Sequence, residues 1–306
     1  MGVWYTYLMA TTTQGIFKKY IGIDWSGARG PYLKKLKVAV CGPGESVPKL
    51  VLPPKDKYWR RDELIDWIIK EAKQRRILVG ADLSFAYPYF DKSAYFPGHP
   101  GSPESAPALW QTVESICRDE PHFYAGPFYK DRATPFSDYL CYQTYRGSHF
   151  DNNRLRRTEQ ACELVGTRPT CAFKCVGPDQ VGSGSAAGMR ALHFLATNHK
   201  NIMSIWPFDS ISESKSALVE IFPRLFFVLA KKDSRQWSNA RTLNAVLKHF
   251  GSEPLTQGVT TASEDEVDAI ISTAALRALS SRTEVWYPQS LDEETQRFEG
   301  WIFGCT

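Results

Sequence analysis

The sequence lacks the marks of secreted, zinc-finger and membrane-spanning proteins. Its seven cysteines are an odd number and form no C-x-x-C pair, which indicates reduced thiols and a cytoplasmic protein. Cys171 and Cys175 lie four residues apart, but no histidine stands at zinc-finger spacing from them. Residues 1–14 contain neither a basic region nor an apolar run of spanning length. This argues against a signal peptide, a transmembrane helix and a membrane partner.

An excess of charge is also missing. The 37 Lys and Arg residues against 33 Asp and Glu residues leave a net charge of +4, spread in small basic pairs. This balance is compatible with a polyanionic substrate but does not require one. A hydrophobic content of 43% over 306 residues is typical of a globular chain with a large core. We predict a short leader over residues 1–17 and a single domain over 18–304.

Two buried strands are predicted to end in aspartate. Ile21 and Ile23 alternate with Gly22 and Asp24 before the turn Trp25-Ser-Gly, and the apolar run 77–82 ends in Asp82. A lone aspartate at a strand end is commonly a turn residue, so it is the repetition of the pattern that attracts attention. Between the two strands, 36–40 and 49–52 read as antiparallel strands and 62–72 as an amphipathic helix.

Residues 87–216 are predicted to be a large, mostly helical insertion. Prolines and aromatic residues are frequent from 87 to 147, and helical periodicity follows at 106–118, 154–165 and 182–198. Long segments of this kind inside a domain are usually functional, and we expect this one to cover the site as a lid. Its aromatic rings could stack on bases, but packing within the insertion is the favoured interpretation.

A third strand and the last long helix supply more carboxylates. Glu220 lies in the apolar run 217–222, where only an edge strand would accommodate it without a partner. Ser263 and Glu266 form a capping-box pattern at the start of the helix 264–280. Asp265 and Asp268 are three residues apart and share one face of that helix.

These carboxylates suggest a divalent-metal site. Mg²⁺ and Mn²⁺ prefer oxygen ligands, and the carboxyl ends of parallel strands meet at one edge of a sheet. The element order β-β-β-α-β, insertion, β-α is that of ribonuclease H. It predicts an α/β fold with a mixed five-stranded sheet of order 3-2-1-4-5. A glycine-serine turn before the helix 182–198 could hold a phosphate through Ser183 and Ser185, although a flexible turn is the commoner meaning.

The chain also resembles the family called domain of unknown function 429, described as predicted nucleases of ribonuclease-H-like fold. The resemblance rests on short motifs in the family's order: Gly22-Ile-Asp24, Ala81-Asp82, Arg157-Thr158-Glu159, Val181-Gly-Ser-Gly184, Val219-Glu220-Ile-Phe-Pro223, Asp265-Glu-Val-Asp-Ala269 and Glu299-Gly-Trp-Ile302. It implies that Asp24, Asp82, Glu220 and Asp265 or Asp268 bind metal and catalyse phosphodiester hydrolysis of DNA or RNA. Arg157 and Glu159 would be weaker candidates for substrate contacts.

Two other functions remain open at this stage. The same sheet order underlies actin-like ATPases, in which a strand-end aspartate positions metal and ATP. The turn 182–184 could serve such an enzyme, although the sequence has no second phosphate turn of the D-x-G-T type. A non-catalytic nucleic-acid-binding protein could also keep the fold, and its carboxylates should then be poorly clustered.

Overall fold

A computed structural model describes residues 17–177, 180–255 and 263–306. The predicted leader lies outside the described residues except for Phe17. The Phe17 ring is buried and packs on the rings of Tyr20 and Trp286. This end of the chain therefore enters the core one residue before the predicted domain begins.

The main sheet is mixed and has six strands among the described residues. They are β1 (Lys19–Asp24), β2 (Lys37–Cys41), β3 (Lys49–Leu50), β4 (Ile77–Asp82), β7 (Met203–Ile205) and β8 (Ser216–Glu220). A separate hairpin pairs β5 (Cys141–Tyr142) with β6 (Tyr145–Arg146). The strands β1, β2 and β3 are antiparallel neighbours, whereas β1, β4, β8 and β7 run parallel to one another.

The strand order is β3-β2-β1-β4-β8-β7. The predicted order 3-2-1-4-5 is confirmed for the first five positions, with β8 as the fifth strand and β1 in the interior of the sheet. The predicted strand count of five was too low, because β7 extends the sheet beyond β8. The three residues of β7 carry too short a pattern to be recognised as a strand in the sequence.

Helices cover both faces of the sheet. In chain order they are α1 (Arg61–Gln74), α2 (Ala106–Cys117), α3 (Gly126–Lys130), α4 (Arg157–Leu164), α5 (Gly182–Asn198), α6 (Pro223–Leu229), α7 (Ala240–His249), α8 (Glu264–Leu279), α9 (Thr283–Trp286) and α10 (Glu293–Phe298). Short 3₁₀ turns occupy Ser137–Tyr139 and Ser234–Gln236. The helices predicted near α1, α2, α5 and α8 match these bounds to within two residues.

Alternation along the strands divides the core into two layers. Ile21, Ile23 and Val79 face the layer built with α1, α2 and α5. Leu78 and Val219 face the other layer, which contains α6, α7 and α8. The sheet is therefore buried on both faces, as its continuous apolar strands require.

The segment 87–216 is more closely joined to the sheet than the sequence suggests. Its aromatic residues are largely buried and stack on one another: the Tyr87 and Phe173 ring centroids lie 4.5 Å apart, and those of Phe96 and Phe136 4.2 Å apart. These rings belong to the same core layer as α1 and α5. The segment also contributes β7 to the main sheet, so its last residues are part of the scaffold.

Candidate active site

Asp24 and Asp82 lie side by side at the carboxyl ends of β1 and β4. They are register partners across the parallel strand pair, as are Gly22 and Gly80 two residues earlier. Because side chains alternate along a strand, Asp24 shares its face of the sheet with Gly22. Gly22 faces α8, so both aspartates open toward the first turns of that helix.

Helix α8 approaches β1 very closely at Gly22. A Cβ atom at this position would lie 2.5 Å from Thr273 Oγ1 and 2.6 Å from the Ala269 carbonyl oxygen. The Gly22 amide donates a hydrogen bond of 3.0 Å to Thr273 Oγ1, which fixes the height of the helix above the strand. This contact places the start of α8 over the end of β1, and the absence of a side chain at Gly22 makes it possible.

The start of α8 is a capping box with an acidic first turn. Ser263 Oγ accepts from the Glu266 amide at 3.3 Å, and Glu266 Oε2 accepts from the Ser263 amide at 3.3 Å. Glu266 also pairs with Lys37 at 2.7 Å. Asp265 and Asp268 project toward the strand ends instead and line one cavity with Asp24 and Asp82. The helix dipole stabilises negative charge at this end, which offsets part of the cost of gathering the acids.

The pKa values of the four aspartates are all raised, chiefly by burial. Burial raises the pKa of Asp24 well above its ordinary range, and the charges of Asp82, Asp268 and Asp265 raise it further. Burial and then the charge of Glu220 raise the pKa of Asp82 to about 7, although Arg224 opposes this shift.

The two aspartates of α8 follow the same pattern. The pKa of Asp268 is raised by burial and by Asp82 and Glu264. Burial also raises the pKa of Asp265, while Lys35, Lys37 and a hydrogen bond with Asp24 lower it. Together the four side chains form a site of concentrated negative charge that a cation would relieve.

These residues line a cavity of about 220 Å³. Besides the four aspartates, its walls are formed by Arg168, Thr170, Gln180, Val181, Phe222, Pro223, Arg224 and Glu264. Arg224 follows Pro223, the first residue of α6, and Gln180 and Val181 precede α5. Sequence analysis missed Arg168 and Arg224, because neither lies in a periodic element or a charge cluster. The one available signal for Arg224 is its place directly after Pro223.

The chemistry of this donor set fits a divalent cation that prefers oxygen. Carboxylate oxygens are the ligands that Mg²⁺ and Mn²⁺ prefer, and their repulsion favours binding. In the described parts of the chain, no group of three carboxylate, histidine or cysteine side chains is already arranged to hold an ion. The aspartates would therefore have to close on a cation from their present positions.

Glu220 does not line the aspartate cavity, although its charge acts on Asp82; it lies on the other face of the sheet. It is the register partner of Ala81, not of Asp82, so strand alternation turns its side chain toward the opposite layer. There it accepts hydrogen bonds from Arg156 Nη1 at 2.8 Å, from Arg156 Nη2 and from the Phe85 amide at 2.9 Å. It shares only a small cavity of about 30 Å³ with Asp82.

Arg156 is the centre of this buried cluster. It is fully buried, and besides Glu220 it binds Glu159, with Nε 3.0 Å from Glu159 Oε1. Glu159 also accepts from the Arg156 amide at 2.8 Å at the start of α4. The cluster explains how β8 accommodates a buried carboxylate: the partner is an arginine 64 residues earlier in the chain. Nothing in the local sequence pairs the two.

The weaker substrate candidates all have partners within the fold, and none lines the aspartate cavity. Arg157 packs over the Phe90 ring at 3.5 Å and donates to Asp292 at 2.9 Å. Ser185 is buried and accepts from the Ser84 amide at 2.9 Å, and Ser183 donates to Gln180 at 2.8 Å. With Glu159 bound to Arg156, these residues hold the scaffold around the site.

Comparison with protein-family models, with curated proteins and with solved structures finds no match to this chain. Across residues 17–177, 180–255 and 263–306, no helix is long and apolar enough to cross a bilayer. The described residues therefore form an α/β protein with a mixed six-stranded sheet and an acidic cavity at its parallel strand ends.

Proposed function

We propose that the chain is a metal-dependent nuclease of ribonuclease-H-like fold. The observation that carries this proposal is the gathering of Asp24, Asp82, Asp265 and Asp268 around one cavity, with pKa values raised by burial and by nearby carboxylates. The strand order, with the parallel strands following the antiparallel meander, supports the fold assignment. The resemblance to the family of domain of unknown function 429 points the same way.

In this proposal Asp24, Asp82 and Asp268 would hold Mg²⁺ or Mn²⁺, with Asp265 supporting Asp24 from α8. A bound divalent ion supplies Lewis acidity toward a phosphodiester and a more acidic water. Arg168 and Arg224 line the same cavity and would offset the negative charge of the phosphate. Glu220 would act indirectly, because its bonds to Arg156 and Phe85 hold the segment that follows β4.

The test compares wild type with Asp24→Asn on DNA and RNA, single- and double-stranded, with Mg²⁺ or Mn²⁺. Asp24→Asn keeps the side-chain shape but removes the charge, so cleavage should fall by orders of magnitude. Asp66→Asn, on the exposed face of α1, is the matched control and should cleave like wild type. Cleavage that survives in Asp24→Asn would come from a contaminant or another site. No cleavage by wild type would favour the non-catalytic binding protein.

One observation favours the ATPase alternative, which the same set of proteins can test. Gln180 and Val181, which precede the glycine-serine start of α5, line the aspartate cavity. A helix start of this kind can hold a phosphate. An ATP hydrolysis assay with the same three proteins separates the two enzymes. Asp24-dependent ATP hydrolysis without cleavage of nucleic acid would replace the nuclease proposal.

A further inference from the structure

A second cavity lies beside the aspartate cavity and shares part of its wall. It has a volume of about 520 Å³, and its wall includes Arg168, Arg224 and Glu264, which also line the first cavity. We call this second space the basic cavity. Its remaining lining residues are Gly166, Thr167, Val228, Lys232, Asp233, Ser234 and Arg235.

The basic cavity carries an excess of positive charge. Four cationic side chains line it against two carboxylates, and one of these, Asp233, pairs with Arg235 at 2.7 Å. Arg168 and Lys232 are exposed, and neither has an ion-pair partner among the described residues. An anion would therefore find cations that are not already neutralised.

The backbone that carries these cations is held by specific hydrogen bonds. Thr167 is buried, and its hydroxyl donates to the Cys162 carbonyl at 2.7 Å, which fixes the turn between α4 and Arg168. The Lys232 amide donates to the Phe227 carbonyl at 2.9 Å at the end of α6. Asp233 caps the 3₁₀ turn Ser234–Gln236. The backbone positions that carry these cations are therefore fixed around the cavity.

We propose that the basic cavity holds the sugar-phosphate backbone of a nucleic-acid strand as it leaves the aspartate cavity. The proposal rests on the nuclease function and adds that the preferred substrate is a polynucleotide, not a nucleotide or a small phosphodiester. A phosphodiester among the aspartates would have its neighbouring phosphates beside Arg168 and Arg224. Further phosphates then reach Lys232 and Arg235. Such contacts bind without base specificity and weaken with salt.

The experiment measures binding separately from cleavage. Labelled single-stranded DNA and RNA of about 16 nucleotides and matching dinucleotides are titrated with the protein in Ca²⁺, at several salt concentrations. Strand integrity is checked after each titration. The variant is Lys232→Glu/Arg235→Glu, because both residues line the basic cavity and neither lines the aspartate cavity. The matched control is Lys70→Glu/Lys73→Glu, on the exposed face of α1.

Wild type should bind the longer strand more tightly than the dinucleotide, and Lys232→Glu/Arg235→Glu should lose most of this difference. Its affinity for the longer strand should fall at least about tenfold, with the slope of log affinity against log salt smaller by about two. The control variant should bind like wild type. Equal loss in both variants, or equal binding of both lengths by wild type, would overturn the proposal.

The two proposals fail in different ways. Length-dependent binding that requires Lys232 and Arg235, without cleavage in Mg²⁺ or Mn²⁺, would support the basic cavity and refute the nuclease. Cleavage that depends on Asp24, with an unchanged KM for long strands in Lys232→Glu/Arg235→Glu, would refute the basic cavity alone. The DNA and RNA arms identify the nucleic acid that binds.

Discussion

At the scale of single residues, the raised pKa of Asp82 makes the stability of the fold depend on pH. Its pKa is about 7 in the folded chain, against an ordinary value of 3.8. The folded state holds this proton more tightly than the unfolded state. The stability that the group contributes is therefore complete below about pH 4 and is lost as pH rises to about 7.

Asp82→Asn removes this titration. Between about pH 4 and about pH 8, the free energy of unfolding should fall by about 2 kcal/mol less in the variant than in wild type. The difference is smaller than the whole pKa shift would give, because Asp82 is only half-buried. Denaturant unfolding without divalent metal at a series of pH values measures the difference. Asp66→Asn is the control. Parallel curves for wild type and Asp82→Asn would show that the pKa of Asp82 is not raised.

Replacement by methionine should have very different effects on stability at two fully buried arginines, Arg156 and Arg61. Arg156→Met leaves Glu159 and Glu220 buried without their counter-charge, so unfolding free energy should fall by about 3 kcal/mol or more. Arg61 is equally buried, but its Nε and Nη1 atoms have no hydrogen-bond partner among the described residues. Its burial lowers its pKa to about 10.

Arg61→Met removes a buried charge that has no ion-pair partner in the described parts of the chain, and it leaves the Ala28 carbonyl without its donor. Ala28 is exposed, so water can replace the lost bond. We expect the unfolding free energy to change by less than about 1 kcal/mol. Thermal and denaturant unfolding of both variants makes the comparison. Equal destabilisation would mean that Arg61 has an anionic partner in solution.

At the scale of elements, the contact of α8 with β1 determines the geometry of the site. In Gly22→Ala the new methyl group would meet backbone atoms of Ala269 and Thr273, which cannot turn away. The helix must move, and we expect a loss of about 2 kcal/mol or more in stability together with weaker metal binding. Gly42→Ala is the control, since no atom lies within 4 Å of the added group. Equal melting temperatures for the two variants would contradict the close contact.

At the scale of elements, some features of the site could be predicted from the sequence and others could not. The capping box and apolar stripe of α8 and the aspartates that end β1 and β4 are local patterns, and the structure confirms these elements. The face on which Glu220 lies is not local, because it depends on the register between β4 and β8. A shift of one residue reverses every side chain, and the sequence contains no signal for that register.

At the scale of the whole molecule, metal binding should stabilise the fold. An ion held by the aspartates binds the folded chain in preference to the unfolded one, so Mn²⁺ should raise the melting temperature in a concentration-dependent way. Asp24→Asn should melt at the same temperature as wild type or higher without metal, and should show little response to Mn²⁺. An equal Mn²⁺ response in both proteins would place the bound ion elsewhere.

The overall topology was accessible from the sequence because β-β-β-α-β leaves few ways to close a sheet. The basic cavity was not accessible in this way. Arg168 follows α4 and Lys232 follows α6, and 64 residues separate them along the chain. Only the packing of these helix ends beside α8 brings them together. Side chains that meet through tertiary packing leave no periodic trace in the sequence.

The distance along the chain between the two halves of the aspartate site has a consequence for protein synthesis. Asp24 and Asp82 leave the ribosome well before Asp265 and Asp268, which belong to α8. Domains begin to fold from the amino end during translation, but here the growing chain cannot cover β1 until α8 has been made. A ribosome that stalls before α8 therefore releases a fragment without the complete aspartate site.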